Sequence, residues 1–337
     1  MHTQHARFSS SARPPPSSRQ VRAAAVATLG RIAPALAMAS ILSRTEHPES
    51  GVRQAALELF GKLEPALLVE HIPVLVACTR DAEYTVRCAA LSTMASLAPA
   101  DLATCTETLV LSLDDQSADV RVMAIEAISK LEHGPLLGML PALMARFSDG
   151  DTAVRQRAVS TVLGRLDITE LTEHIGAIVD RIEDADGDVR RAAALWAKSK
   201  LEPSQLGRHA QAVARGLEDP AVSVRRAALE ALAKVDSLVL AAYTAPVVKK
   251  LDDEILSVRL AAIGVLARLN SPALAPHAPS LVRLFLDPEW AVRAAALSTL
   301  RVLEVTLLAT HLPSVLLMME DAFDGPPLTI RHLTLDT

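Results

Sequence analysis

The chain alternates between apolar stripes spaced as on an α-helix and short polar turns, and it does so at a constant period. Val224, Ala227, Ala228, Ala231, Leu232 and Val235 fall at i, i+3, i+4, i+7, i+8 and i+11, which makes one apolar face over about three helical turns. Upstream of them, Leu206, His209, Ala210, Val213 and Leu217 mark a second helical stretch. The earlier stretch is termed helix A and the later one helix B. Phrases such as Leu63-Glu64-Pro65, Leu97-Ala98-Pro99 and Leu201-Glu202-Pro203 close each helix B, because proline cannot continue a helix. No stretch alternates apolar and polar residues as a half-buried strand would. The pattern predicts an all-α protein.

The unit recurs. A Val-Arg dipeptide, usually followed by an alanine pair, stands at Val21, Val52, Val86, Val120, Val154, Val189, Val224, Val258 and Val292, at spacings of 31 to 35 residues. Nine units of one length predict a stacked array in which each unit buries its apolar face on its neighbours. A second register accompanies the first: Asp81, Asp115, Asp149, Asp184, Asp219, Asp253 and Asp287 each precede the anchor arginine by six residues. Their expected partners are Arg87, Arg121, Arg155, Arg190, Arg225, Arg259 and Arg293. Asp219-Pro220 and Asp287-Pro288 read as a helix N-cap followed by proline at the first helical position. Stacking would then set a column of carboxylates beside a column of guanidiniums, bonded within or between repeats. A residue repeated seven times in one register is architecture, not catalysis.

The Asp before the turn, the Val-Arg opening of helix B and the alanine pair after it resemble HEAT repeats over residues 21 to about 320. The period is shorter than the 40–47 residues usual for such arrays, and is similar to the short variety of phycobilin-lyase-like proteins. More distant resemblances run to phosphatase scaffold subunits, nuclear import receptors and tubulin-binding domains. The Trp, Gly, Tyr and Phe signature of tetratricopeptide repeats is absent. The resemblance implies a right-handed α-solenoid of about nine helix-A/helix-B repeats with a degenerate tenth, and a non-catalytic scaffold or adaptor that holds protein partners through the helix B surface and loop edge. A phosphatase-type regulatory scaffold is one form of that role. The short-repeat relatives imply an alternative, a chromophore lyase or chaperone. A nucleic-acid-binding solenoid using Arg190, Arg191, Arg225 and Arg226 is another.

Composition narrows these choices. Half of the residues are apolar but only 3% are aromatic, so the core rests on small aliphatic side chains suited to close helix packing. The 34 basic residues against 39 acidic ones leave a formal charge of −5, which argues against a phosphate-gripping surface overall. Cys78, Cys88 and Cys105 form no CxxC pair and read as buried free thiols, which fits a reducing, cytoplasmic compartment. No 18-residue apolar run predicts a membrane span. Residues 1–20 are rich in Ser, Arg and Pro and read as a disordered tail, or as a targeting segment that would direct the chain to an organelle. The domain organisation expected is that tail, a solenoid over 21–320 and a degenerate end at 321–337, where Asp324-Gly325-Pro326-Pro327 lacks the alanine pair.

Candidate chemistry is sparse, and no cofactor or metal is expected. His71, His174, His209 and His277 each stand fifteen residues before an anchor valine, but Cys105, Met139 and Tyr243 fill the same place elsewhere, so it reads as a packing position. Glu58/Lys62, Glu126/Lys130 and Glu230/Lys234 read as i, i+4 pairs on a solvated face. Tyr84 and Trp290 share one slot, two residues before the anchor, and are candidate partner-binding anchors together with Arg191 and Arg226. Trp196, inside a helix B, reads as core.

Overall fold

The computed structural model describes residues 34–318. The 1–20 tail, the first anchor at Val21 and the 321–337 end lie outside the described residues. Among those described there is no strand, and no helix is long and apolar enough to cross a membrane. The chain divides into two compact units, Met1–Ala142 and Leu143–Thr337. Each is an α-solenoid of stacked helix pairs.

Numbering only the helix B segments, the first unit holds α1 (Ser50–Phe60), α2 (Tyr84–Met94) and α3 (Ala118–Ile128). The second holds α4 (Thr152–Arg165), α5 (Gly187–Lys200), α6 (Val222–Leu232), α7 (Leu256–Leu266) and α8 (Trp290–Leu300). Within each unit every helix B packs on the next. The anchor valines from Val86 to Val292 are buried, as are the alanines that follow, such as Ala90, Ala124, Ala193 and Ala228. A methyl group at those positions lets neighbouring axes approach, and Thr93 of α2 uses the closeness to donate its hydroxyl to the Leu57 carbonyl of α1 at 2.9 Å. Gly216 marks another close approach: a Cβ there would lie 3.0 Å from Ile182 of the preceding repeat and 3.3 Å from Ala228.

Helix A differs from its sequence reading as one continuous helix. It is broken near its middle, for example into Pro65–Leu68, a 3₁₀ turn at Val69–His71 and Ile72–Cys78. The break falls on the histidine register. His71 (φ −111°, ψ 9°), Cys105 (−98°, 9°), His209 (−108°, 12°) and Tyr243 (−111°, 11°) all leave the helical region for the bridge region. Pro73, Pro279 and Pro313, two residues later, explain the break where they occur. Each would lack the N–H of an uninterrupted ladder and crowd the carbonyl four residues back, but at the second position of a new helix neither matters. The kink residue then packs: the His71 ring meets Phe60 edge-on, centroids 5.8 Å apart.

The A–B turn also departs from expectation. Helix A ends in a 3₁₀ turn such as Gly216–Glu218, the Asp that follows is extended, and helix B starts three residues later. The Asp is therefore not the N-cap. Ala221 holds that position before α6, and among the described residues only Asp151 and Asp186 cap a helix B through their side chains. The register Asp instead accepts the amide two residues on, as Asp81 does from Glu83 at 2.9 Å, Asp219 from Ala221 at 2.7 Å and Asp287 from Glu289 at 2.9 Å. This closes the turn ahead of the helix. The prolines Pro65, Pro99 and Pro203 both end one unit and occupy the first turn of the next helix A.

Candidate partner-binding surface

The surface rests on an ion-pair ladder along the A–B turns. Each arginine does two things. Its Nη1 wraps its own turn, as Arg87 does on the carbonyls of Asp81 (2.9 Å) and Ala82 (3.0 Å), and Arg225 on those of Asp219 and Pro220 (both 3.0 Å). Its remaining nitrogens reach the carboxylate of the following repeat. In the first unit Arg53 pairs with Asp81 and Arg87 with Asp115, each at 2.7 Å. In the second, Arg155 pairs with Asp184 (3.0 Å), Arg190 with Asp219 (2.5 Å), Arg225 with Asp253 (2.9 Å) and Arg259 with Asp287 (2.9 Å). The same-repeat carboxylate pairing expected from spacing is thus corrected: the arginine takes its own Asp by the backbone and the next Asp by the side chain. Six residues of chain bring the guanidinium over the turn, where Nη1 meets the turn carbonyls, and stacking presents the next carboxylate to Nε and Nη2. Arg293 is fully buried and makes the same backbone contacts to Asp287 and Pro288. Arg121 bonds the Asp115 carbonyl in that way too.

The ladder shifts its carboxylates. The Arg53 hydrogen bond holds Asp81 below the usual carboxylate range. Burial alone would push Asp115 and Asp253 up, but the bonds from Arg87 and Arg225, the turn amides and the nearby cations together outweigh it, and both titrate low.

Two features are not apparent from the Asp register alone. Arg53 is a rung although no Asp precedes it by six residues; the Val-Arg anchor alone was the signal. A second, outer ladder links Glu183 to Arg215 (2.7 Å), Glu218 to Lys250 (2.9 Å) and Asp252 to Arg283 (3.1 Å). Its trace in the sequence is the acid directly before each of Asp184, Asp219 and Asp253.

On the helix B face of the first unit, α1, α2 and α3 enclose an open groove of about 610 Å³. Its floor is α2 with the turn that ends it, where Cys88, Ser92 and Ser96 are short. One repeat earlier the same register positions hold Gln54, Glu58 and Lys62, which form one wall, and Asp119, Val122 and Met123 of α3 form the other. The groove exists because a short row lies between two longer ones. Tyr84 stands at one end, 45% exposed. Glu58 accepts from Gln54 at 2.9 Å. Burial, helped by Asp119, pushes the half-buried Cys88 thiol up to about 11, so it is neutral and weakly nucleophilic at pH 7. Cys78 and Cys105 are buried, whereas Cys88, expected to be so, is partly open to this groove.

The remaining predicted residues fall in the second unit. Trp290 opens α8 as Tyr84 opens α2, but is half-buried. Trp196 is in the core. Arg191 and Arg226 are exposed on neighbouring helices α5 and α6, the first paired with Asp188 at 2.7 Å and the second with Glu230 at 3.5 Å. Glu230 also pairs with Lys198 of α5 rather than with Lys234, because the adjacent helix brings that cation within reach. Lys234 instead donates to the Lys198 carbonyl at 2.5 Å.

With this geometry in hand, the chain can be set beside known proteins. The profile of HEAT repeats matches residues 72–164, 106–199 and 210–301. No curated protein sequence matches the chain. Among solved structures, an engineered protein from the Northeast Structural Genomics Consortium superposes with a TM-score of 0.58 at 15% identity, covering 96% of both chains. Kap121p is similar with a TM-score of 0.53 at 15% identity over 91% of this chain, and Kap121p bound to Pho4p with 0.52 at 13% over 90%. The chain spans 37% of the length of Kap121p. Likeness at such identities concerns the fold. The repeat register, the stacked helix pairs and the profile matches agree: the chain belongs to the HEAT-repeat family.

Proposed function

We propose that the protein is a non-catalytic scaffold that binds a protein partner on its helix B surface, with the α1–α2–α3 groove as the contact site. The groove carries the reading. It is open, its floor is of small residues that a partner's side chains can enter, and it is headed by an exposed tyrosine, a residue type enriched where interfaces draw their energy. Its one thiol is held neutral and its Glu58 is already hydrogen-bonded, so the groove offers contact rather than an activated nucleophile. Kap121p, which shares the fold, is crystallised with the proteins Pho4p and Nup53p. A phosphatase-type regulatory scaffold is the finer form of this reading, and co-purification of a phosphatase catalytic subunit tests it. The test of the site itself is affinity. Tyr84→Ala weakens a captured partner by at least about 1 kcal/mol, roughly the level that marks a residue of consequence at an interface. Unchanged affinity would remove the groove from the account.

A further inference from the structure

The two units differ sharply in the charge of their helix B faces. Leaving aside the ladder arginines, helices α4–α8 with the residues that finish their last turns carry nine cations against two carboxylates, Asp188 and Glu230. In the first unit the equivalent stretches of α1–α3 carry two cations against three carboxylates. The excess in the second unit opposes the formal charge of −5 for the whole chain. We propose that the helix B face of the second unit is a docking strip for an acidic, extended protein segment.

Three observations support this. First, the cations form a row: Arg165, Lys200, Lys234, Arg268 and Arg301 each lie at the C-terminal end of one of five consecutive, mutually packed helices. A single cation per helix end suits the helix dipole; Arg191, Lys198 and Arg226 stand on the same face but are paired with Asp188 and Glu230, so the row at the helix ends carries the excess. Second, Lys200, Arg268 and Arg301 make no ion pair among the described residues, so their charge is uncompensated. Packed helices stand roughly 8–10 Å apart, near the Debye length of about 8 Å at physiological salt. At that spacing salt largely screens one cation from the next, so the row presents separate charges that the carboxylates of an incoming chain can meet one by one. Third, the strip is narrow and bounded. Asp186 and Asp188 lie at the head of α5, while Glu202, Asp236 and Glu304 open the helices A beyond the other edge. A nucleic acid laid across the face would meet these acids, whereas a single peptide strand fits between them. Leu195, 43% exposed in the middle of the face, adds an apolar contact that a peptide side chain can cover and a phosphate backbone cannot.

The length of the segment follows from the stack. Four spacings between five helices span about 32–40 Å, which an extended chain at roughly 3.3 Å per residue covers with about 10–12 residues.

The probe is a fluorescein-labelled dodecapeptide of Glu, Asp and Ser with one central Leu, titrated with the full chain and followed by fluorescence anisotropy. Binding is expected, and should weaken as salt rises. The combined change Lys200→Glu, Lys234→Glu, Arg268→Glu should reduce affinity at least about tenfold and confer binding of the matched lysine peptide. The milder set Lys200→Ala, Arg268→Ala, Arg301→Ala alters only exposed side chains and should reduce affinity several-fold with an unchanged circular dichroism spectrum. Leu195→Ala should weaken binding a few-fold, and Lys62→Glu with Lys130→Glu in the first unit should not. Tyr84→Ala should leave this peptide's affinity unchanged, which separates the strip from the groove. The proposal is overturned if the wild type does not bind the acidic peptide, if neither charge variant changes its affinity, or if a 12-nucleotide single strand or a duplex binds the wild type more tightly than the peptide.

Discussion

Asp219→Ala probes the ladder at a buried rung of the second unit. The Asp219 carboxylate accepts from Arg190 of the preceding repeat at 2.5 Å and from the Ala221 amide at 2.7 Å, and the residue is 7% exposed. Arg225 of its own repeat touches only the Asp219 carbonyl, which alanine keeps. Losing a charged hydrogen-bond partner costs about 1.5–3 kcal/mol, and the freed turn amide adds up to about 1 kcal/mol. Arg190 retains the carbonyls of Asp184 and Ala185, so the loss stays below the extreme of a stranded buried charge. The expected destabilisation is about 2–4 kcal/mol. A double-mutant cycle sharpens this: coupling between Asp219→Ala and Arg190→Ala should be about 1.5–3 kcal/mol, and between Asp219→Ala and Arg225→Ala under about 0.5 kcal/mol. The assay is urea unfolding followed by Trp196 fluorescence in a Trp290→Phe background, since Trp196 is buried on the same helix as Arg190 and the chain has only two tryptophans. Stronger coupling to Arg225 would refute the inter-repeat ladder.

Three further outcomes follow from the geometry. Asp81, Asp115 and Asp253 titrate below their ordinary value in the folded state; their stabilisation is therefore complete above about pH 4 and lost as pH falls through the lowered values. Urea midpoints should be flat from pH 7 to 5 and drop below pH 4, with a shallower drop in Asp81→Asn. Gly216→Ala should destabilise the second unit by about 1–2 kcal/mol, because the added methyl meets Ala228, which cannot rotate away; an unchanged melting temperature would contradict the close packing. Cys88, pushed up to about 11, should alkylate at pH 8 far more slowly than an unperturbed thiol and accelerate as pH approaches 11, as read by mass spectrometry of the modified peptide.

The stacking was legible because it is written in a repeated phrase. Val-Arg-x-Ala-Ala places a buried valine, an arginine and two methyls at helical spacing, and each repetition demands the same neighbour. The ladder's members were legible for the same reason, but their partners were not: Asp219 lies six residues from Arg225 and twenty-nine from Arg190, and sequence distance favours the wrong one. Which carboxylate meets which guanidinium depends on how one repeat is set against the next. The kink in helix A was hidden because Leu206, Ala210, Val213 and Leu217 keep helical spacing across it, while prolines mark it in only some repeats. Tyr84 could be singled out as an aromatic at a turn, but the groove beside it could not. It arises from a comparison across three helices, short Cys88, Ser92 and Ser96 between longer rows, and becomes visible only once those helices lie side by side.

The central claim, that a protein partner sits in the α1–α2–α3 groove, is tested most directly by site-specific photo-crosslinking in cells. Benzophenone-alanine is placed at Ser92 on the groove floor, and in a parallel strain at Leu111, which is 57% exposed on helix A of the next repeat. One discrete cross-linked protein is expected from Ser92, diminished by Tyr84→Ala, and none of that mass from Leu111. A partner captured from Leu111 but not from Ser92 would place binding on the helix A side and contradict the claim.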